Sequence, residues 1–193
     1  MKKITARQKE IITAALGIIS ERGLEALTIK NIAERVGFSD AAIYRHFPNK
    51  SAILSAMVDG FANSSIQELN GINAGDSCAL EQIKQFFLDR CRTFASDRAL
   101  AAVMFAEDLF KSDPALAAKT HGIMQDHRQL LLKSIRQGQR QGLIRHLPPE
   151  HFFTIIMGSL RLLVLHWQVS GYEFELPQAG EKLWQSLETL ISQ

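Results

Sequence analysis

Residues 36–50 read VGFSDAAIYRHFPNK, from Val36 to Lys50. One helix ends at Gly37, and Ser39 is placed to cap the next. The spacing predicts a short helix from Ser39 through Phe47, stopped by Pro48. Phe38, Ile43 and Phe47 form an apolar wedge that would hold this helix against its neighbours. Its free face carries Asp40, Ala41, Ala42, Tyr44, Arg45 and His46. The result is a shallow small-residue ridge beside polar and basic side chains, and its meaning depends on the chain around it.

Upstream, Thr5 followed by Gln8 makes a capping box for a first helix. Ile11, Ala14, Ala15, Ile18 and Ile19 give that helix one apolar stripe, and Gly23 sits where a left-handed C-terminal cap is needed, with Leu24 after it for the closing contact. Thr28 caps a second helix, with Ile29, Ile32, Ala33 and Val36 on its buried side. The second and third helices are joined by only Gly37-Phe38-Ser39, which is helix-turn-helix geometry. Ala33 and Gly37 are small where the two would cross. Downstream, Asn49 can cap a fourth helix whose stripe is Ile53, Leu54, Met57, Val58 and Phe61.

Short side chains at the start of such a helix let it enter the DNA major groove deeply. Ser39, Ala41 and Ala42 suit that task, and the alanine methyls can meet a thymine methyl. Arg45 can reach a guanine edge or a phosphate. Thr28, Tyr44, His46 and Lys50 are placed to hold phosphates on either side. The fourth helix, starting at Lys50, adds backbone N–H groups and a positive dipole end. Charge agrees with this. Residues 1–50 hold nine Lys/Arg and five Asp/Glu, whereas residues 51–193 hold thirteen and fifteen, within a chain of net charge +2. A basic first quarter favours an anionic partner there.

Residues 6–54 resemble the DNA-binding region of the TetR family of bacterial transcriptional regulators. The likeness rests on the run ending the first helix, on TIKNIAERVG (28–37) and above all on IYRHFPNK (43–50). The family pattern has small residues where Ala41 and Ala42 stand, and Tyr, His, Phe and Lys at Tyr44, His46, Phe47 and Lys50. Asp40 departs from the polar residue often found at its position. The resemblance implies an all-α fold, with an N-terminal three-helix helix-turn-helix bundle (1–50) joined by helix four to a C-terminal dimerisation and ligand domain (51–193). It also implies a homodimer paired through the last two helices, a palindromic double-stranded DNA operator and a small-molecule effector.

With 46% hydrophobic residues the chain can afford a sizeable core. The rest reads as helix. NGINAGDS (70–77) is a breaker, followed by helices at about 78–95, 98–111, 114–141, 150–170 and 178–192, about nine in all. A short YEFEL (172–176) is the one alternating run. Helix eight carries Ile155, Ile156, Leu160, Leu162, Leu163, Leu165 and Trp167, more apolar surface than one face needs. With Trp184, Leu187 and Ile191 of helix nine, Ile156, Leu160, Leu163 and Trp167 are the expected dimer interface, built as a four-helix packing of two protomers.

An apolar, Met- and Phe-rich set on helices four to eight suits an adaptable cavity: Phe61, Phe86, Phe87, Cys91, Met104, Phe105, Phe110, Met124 and Phe152. His121, His127 and Arg128 are polar groups on the long helix, with Arg128 the one expected to meet the ligand. The effector expected from this set is small and mostly apolar, with room for one polar or anionic end. Cys78 and Cys91, thirteen apart on one expected helix, would point about 140° apart and lie about 20 Å apart, so no disulfide is expected.

No cofactor, metal or catalytic residue is expected. GxSxG, HExxH, Walker and GxGxxG motifs are absent, and no two histidines stand four apart. MKKITARQKE lacks an apolar signal core, and FFTIIMGSLRLLVLHW (152–167) is broken by Arg161, so a cytoplasmic protein without membrane contact is expected. A helical protein-binding adaptor, and a regulator of the same family that uses no effector, remain as alternatives.

Overall fold

The structure is a computed structural model, which describes residues 4–74 and 77–193. It contains ten α-helices and, among the described residues, no β-strand, only an isolated antiparallel bridge between Ile144 and Ser192. The helices are α1 (Ala6–Arg22), α2 (Ile29–Val36), α3 (Asp40–Tyr44), α4 (Lys50–Ala74), α5 (Ala79–Ser96), α6 (Arg98–Met104), α7 (Glu107–Ser112), α8 (Pro114–Arg140), α9 (Pro149–Val169) and α10 (Leu176–Ile191). The chain forms two compact units. One comprises the residues up to Asn63 together with Asp97–His121, the other Ser64–Ser96 together with Gly122–Gln193.

In the first unit the capping box of α1 closes in both directions. The Thr5 hydroxyl accepts from the Gln8 amide, and the Gln8 carboxamide accepts from Thr5 N–H. Its stripe of Ile11, Ala14, Ala15, Ile18 and Ile19 is buried, beside Leu27, Ile32, Ala33, Ile43 and Phe47. Gly23 has positive φ (81°) but extended ψ (169°), so it leads into a 3-10 turn at Leu24–Ala26 rather than completing a left-handed cap. A bidentate ion pair ties α2 to α1, with Arg35 donating to both carboxylate oxygens of Glu21 at 2.7 and 2.5 Å. Gly17 makes room for it, since a Cβ there would lie 2.7 Å from an Arg35 nitrogen. The helix α6 packs against α1 in the same unit and buries Ala99, Leu100, Ala101 and Val103.

In the second unit α5 crosses α10 closely, because Gly180 has no Cβ; one built there would lie 2.6 Å from Cys91 Sγ. Phe86, Phe87, Phe94, Phe152, Ile156, Leu160, Trp167, Trp184, Leu187 and Ile191 form the interior, with Phe87 and Trp184 ring centroids 5.8 Å apart.

Three further expectations change. The tract expected as one helix over 98–111 is two, interrupted at Phe105-Ala106, and no glycine or proline marks the break. The breaker at 70–77 begins later than expected, since α4 continues through Gly71 to Ala74 at the modest cost of an exposed helical glycine; Gly75 and Asp76 lie outside the described residues. The helix expected from Ser39 through Phe47 is shorter, since α3 ends at Tyr44, and a turn of backbone bonds from His46 and Phe47 to the Ile43 carbonyl carries the chain on. YEFEL forms no strand. Its backbone is spent on Trp167, which accepts from the Tyr172 N–H through its carbonyl (2.8 Å) and donates its indole N–H to the Phe174 carbonyl (2.9 Å).

Candidate nucleic-acid interface and effector body

The turn at Gly37 is what positions the candidate reading helix. Gly37 is left-handed (φ 71°, ψ 30°), and the next amide, that of Phe38, bonds back to the Ala33 carbonyl at 2.9 Å. Ser39 then caps α3 by accepting from the Ala42 amide, and Thr28 caps α2 by accepting from the Asn31 amide. Ile43 and Phe47 are buried and fix the rotation of α3. With those two inside, Ala41, Tyr44 and Arg45 face out, while Ala42 and His46 are half-buried. Tyr44 is 52% exposed, high for a large aromatic side chain.

Two contacts fix the flanks of this face. The Gln8 carboxamide donates to the His46 carbonyl at 3.2 Å, which pins the end of the reading helix to α1. Asn49 accepts from the Ala52 amide at 2.8 Å and so caps α4 as expected, leaving Lys50 exposed at the helix start. Thr28, Ser39, Ala41, Tyr44, Arg45 and Lys50 are thus all exposed, and among the described residues no acidic side chain pairs with Arg45 or Lys50. The surface combines small side chains, donors and positive charge on a fixed ridge. Asp40 is also exposed, in the first turn of α3, where a carboxylate suits the helix dipole.

Within the same unit, α4 is strapped to the start of α8. Asp113 caps α8 by accepting from the Leu116 amide, and it also accepts from the Ser51 hydroxyl. These bonds hold its carboxyl below the ordinary range, the Ser51 hydroxyl chief among them. One turn further along α8, Lys119 pairs with Asp59 of α4 at 2.5 Å.

The residues expected at a dimer interface divide in two. Ile156, Leu160, Trp167, Trp184, Leu187 and Ile191 are buried inside the protomer and cannot meet a partner's surface; Leu163 is half-buried. The exposed apolar side chains of α9 are instead Ile155, Leu162, Leu165 and Val169, at 44, 67, 44 and 79% exposure. They follow a 3-4 repeat with Gly158, where an added methyl would meet nothing within the protomer. On α10, Leu190 is 64% exposed. The helix α9 is apolar all round, so its sequence gives the existence of two faces but not which one turns inward. Its composition and length would also suit a membrane span, with 28% of its most apolar window buried.

The expected ligand residues scatter. Phe61, Phe87, Cys91 and Phe152 are buried, Met104 and Phe105 half-buried. Burial pushes the Cys91 thiol up to about 12. Met124 is 45% exposed, and Arg128 lies 3.9 Å from Glu150 at the surface, because both sit on the outer side of α8. His127, by contrast, is buried. It lies against the Phe86 ring edge, with its Nε2 2.5 Å from the hydroxyl of buried Ser65. Arg90, 2% exposed, pairs with Glu68 and lies over Phe86. Ser65 and Arg90 escaped the sequence reading, since each sits singly in an otherwise ordinary helix. Among the described residues no group of three or more His, Cys, Asp and Glu side chains could hold a metal ion.

Residues 11–57 match the family model of bacterial regulatory proteins of the tetR family, and residues 58–189 match that of the C-terminal region of YsiA-like proteins. The chain is 25% identical over 193 residues to the fatty acid metabolism regulator protein of Bacillus subtilis, covering 100% of this chain and 97% of that one. It is 22% identical over 200 residues to the nucleoid occlusion factor SlmA of Haemophilus influenzae, covering 99% and 88%. Among solved structures, the ketosteroid transcriptional regulator KstR2 of Mycobacterium tuberculosis superposes with a TM-score of 0.82 at 20% identity, over 99% of this chain and 97% of that one. The transcriptional regulator FadR of Bacillus subtilis in complex with stearoyl-CoA gives 0.75 at 23% identity, over 93% and 96%.

Proposed function

Because the chain belongs to the tetR family of bacterial regulatory proteins, we propose that it is a transcriptional repressor that a fatty-acyl thioester of coenzyme A releases from a palindromic operator. It acts by binding alone, without catalysis, as a cytoplasmic homodimer. Residues 1–50 read the DNA; residues 51–193 pair the protomers and take the effector.

The observation that carries the DNA reading is the exposed face of α3, where Ala41 and Arg45 stand out of a ridge fixed by buried Ile43 and Phe47. The small side chains allow close approach to base edges, while Thr28, Tyr44, His46 and Lys50 hold phosphates on the flanks. Two such ridges enter successive major grooves only if a partner holds them about 34–36 Å apart. The exposed α9 stripe, from Ile155 to Val169, supplies the pairing surface, with Leu163 at its edge. The effector class is supported by the relative named a fatty acid metabolism regulator protein and by the similar structure in complex with stearoyl-CoA. Such a ligand has a long apolar chain and an anionic end, and the chain fits the Phe-rich interior of the second unit, where Phe86, Phe87, Phe94 and Phe152 are buried.

A gel-shift assay with DNA from upstream of the protein's own gene tests this reading. We expect binding that weakens steeply with salt and is reversed by stearoyl-CoA but not by coenzyme A alone. No shift at any salt would support a protein-binding adaptor. A shift that stearoyl-CoA leaves intact would support an effector-free DNA binder, a reading favoured by the likeness to the nucleoid occlusion factor.

A further inference from the structure

Among the described residues of the second unit, buried Gln82 and Ser134 bond each other and buried Gln139 donates to two backbone carbonyls, whereas a further set of buried polar side chains comes together from three helices. Ser65 of α4, Arg90 of α5 and His127 of α8 are 0, 2 and 5% exposed. Ser65 and His127 share a 2.5 Å hydrogen bond, although 62 residues separate them in the chain. Phe86 packs against both basic side chains, its ring centroid 5.2 Å from that of His127 and 5.8 Å from the Arg90 guanidinium. Glu68, one turn beyond Ser65 on α4, pairs with Arg90.

Burying this set is costly. A buried polar group loses its hydration, and buried Arg90 recovers its desolvation penalty only in part from Glu68, whose side chain is 41% exposed. Apolar side chains of similar size would hold α4, α5 and α8 together at least as well. The set therefore calls for a role beyond packing, and its chemistry is specific. Serine hydroxyl, imidazole N–H and guanidinium all donate. The charge of Arg90 is already balanced by Glu68, and the apolar surroundings keep His127 neutral. A donor-rich cluster of no net charge suits a neutral acceptor oxygen. A carboxylate there would add a buried negative charge with no cation left to balance it.

We infer that Ser65, Arg90 and His127 receive the carbonyl oxygen of an acyl thioester, with the Ser65 hydroxyl turning from His127 to the ligand. The assignment rests on the effector class proposed above and deepens it. It also supplies a link to DNA. Ser65 and Lys50 lie on the same helix, fifteen residues apart in sequence. A ligand bonded to Ser65 acts directly on the helix whose first turn flanks the reading face.

A ligand pair differing only at that oxygen tests the assignment. Binding of stearoyl-CoA and of its thioether analogue S-octadecyl-CoA is measured by calorimetry for the full-length wild type, Ser65→Ala and His127→Gln. The wild type should prefer the thioester by roughly tenfold or more, as sites built to bond an oxygen do. Both variants should melt as cooperatively as the wild type, bind the thioether as it does and lose that preference. Stearate should bind more weakly than stearoyl-CoA. Equal wild-type affinity for thioester and thioether would overturn the assignment and leave the effector class standing, as would folded variants that keep the full preference. No wild-type binding of either compound would overturn both.

Discussion

Replacing Leu162 with Asp places a charge in the middle of the exposed stripe of α9. Leu162 is 67% exposed in the protomer, so pairing has about two-thirds of its side chain to bury. Full burial of a leucine is worth about 1.5–3 kcal/mol, which gives about 1–2 kcal/mol per copy. A two-fold interface uses the residue twice, so the loss is about 2–4 kcal/mol. At 1.4 kcal/mol per decade the dimer dissociation constant should rise roughly thirty- to several-hundred-fold, before any cost of desolvating two carboxylates. Sedimentation equilibrium measures this directly, and the monomer should keep its helical signal and melting temperature. Operator affinity should fall with dimerisation, because a lone reading head loses its second half-site. Leu160 is the control. At 3% exposure it belongs to the protomer core, and Leu160→Ala should cost about 2–5 kcal/mol of folding stability. A Leu162→Asp protein that stays dimeric with unchanged affinity refutes the assignment of this face.

Ala41→Glu should abolish the gel shift while leaving thermal melting within a degree or two, since the residue is exposed; Arg45→Ala should weaken binding and flatten its salt dependence. Burial, then the nearby Arg90, lowers the His127 pKa from 6.5 to about 4. The unfolded chain therefore binds more protons between those values, and stability is complete above pH 6.5 and lost as pH falls toward 4. The loss between pH 8 and pH 5 should be about 2 kcal/mol, and denaturant titration of His127→Gln should show a flatter profile. Arg90, paired with Glu68, faces the same cluster. Cys78, exposed, should react with a thiol reagent in the native protein, whereas buried Cys91, its thiol raised to about 12, should react only on denaturation; equal native rates would contradict the packing of Gly180 on its sulfur.

Most of the first unit was legible along the chain because its signals are local. A cap and the amide it serves lie three residues apart at Thr5, Thr28, Ser39 and Asn49, and each forms the hydrogen bond its spacing implies. The reading face follows from them, since burying Ile43 and Phe47 leaves Ala41, Tyr44 and Arg45 only the outside. The break at Phe105-Ala106 had no such marker, so a uniformly helical composition hid it.

The second unit depends on contacts between residues far apart in sequence. Ser65, Arg90 and His127 are unremarkable helical residues until α4, α5 and α8 bring them together. On α9 apolar residues surround the axis, and periodicity cannot choose between Leu160 and Leu162 as the inner one. By itself the sequence determined the helices, their caps and the residues that would face DNA, because those follow from spacing within a few turns. Only the tertiary structure decided which side of α9 stays open and which polar groups are shut inside, because burial depends on what packs from across the chain.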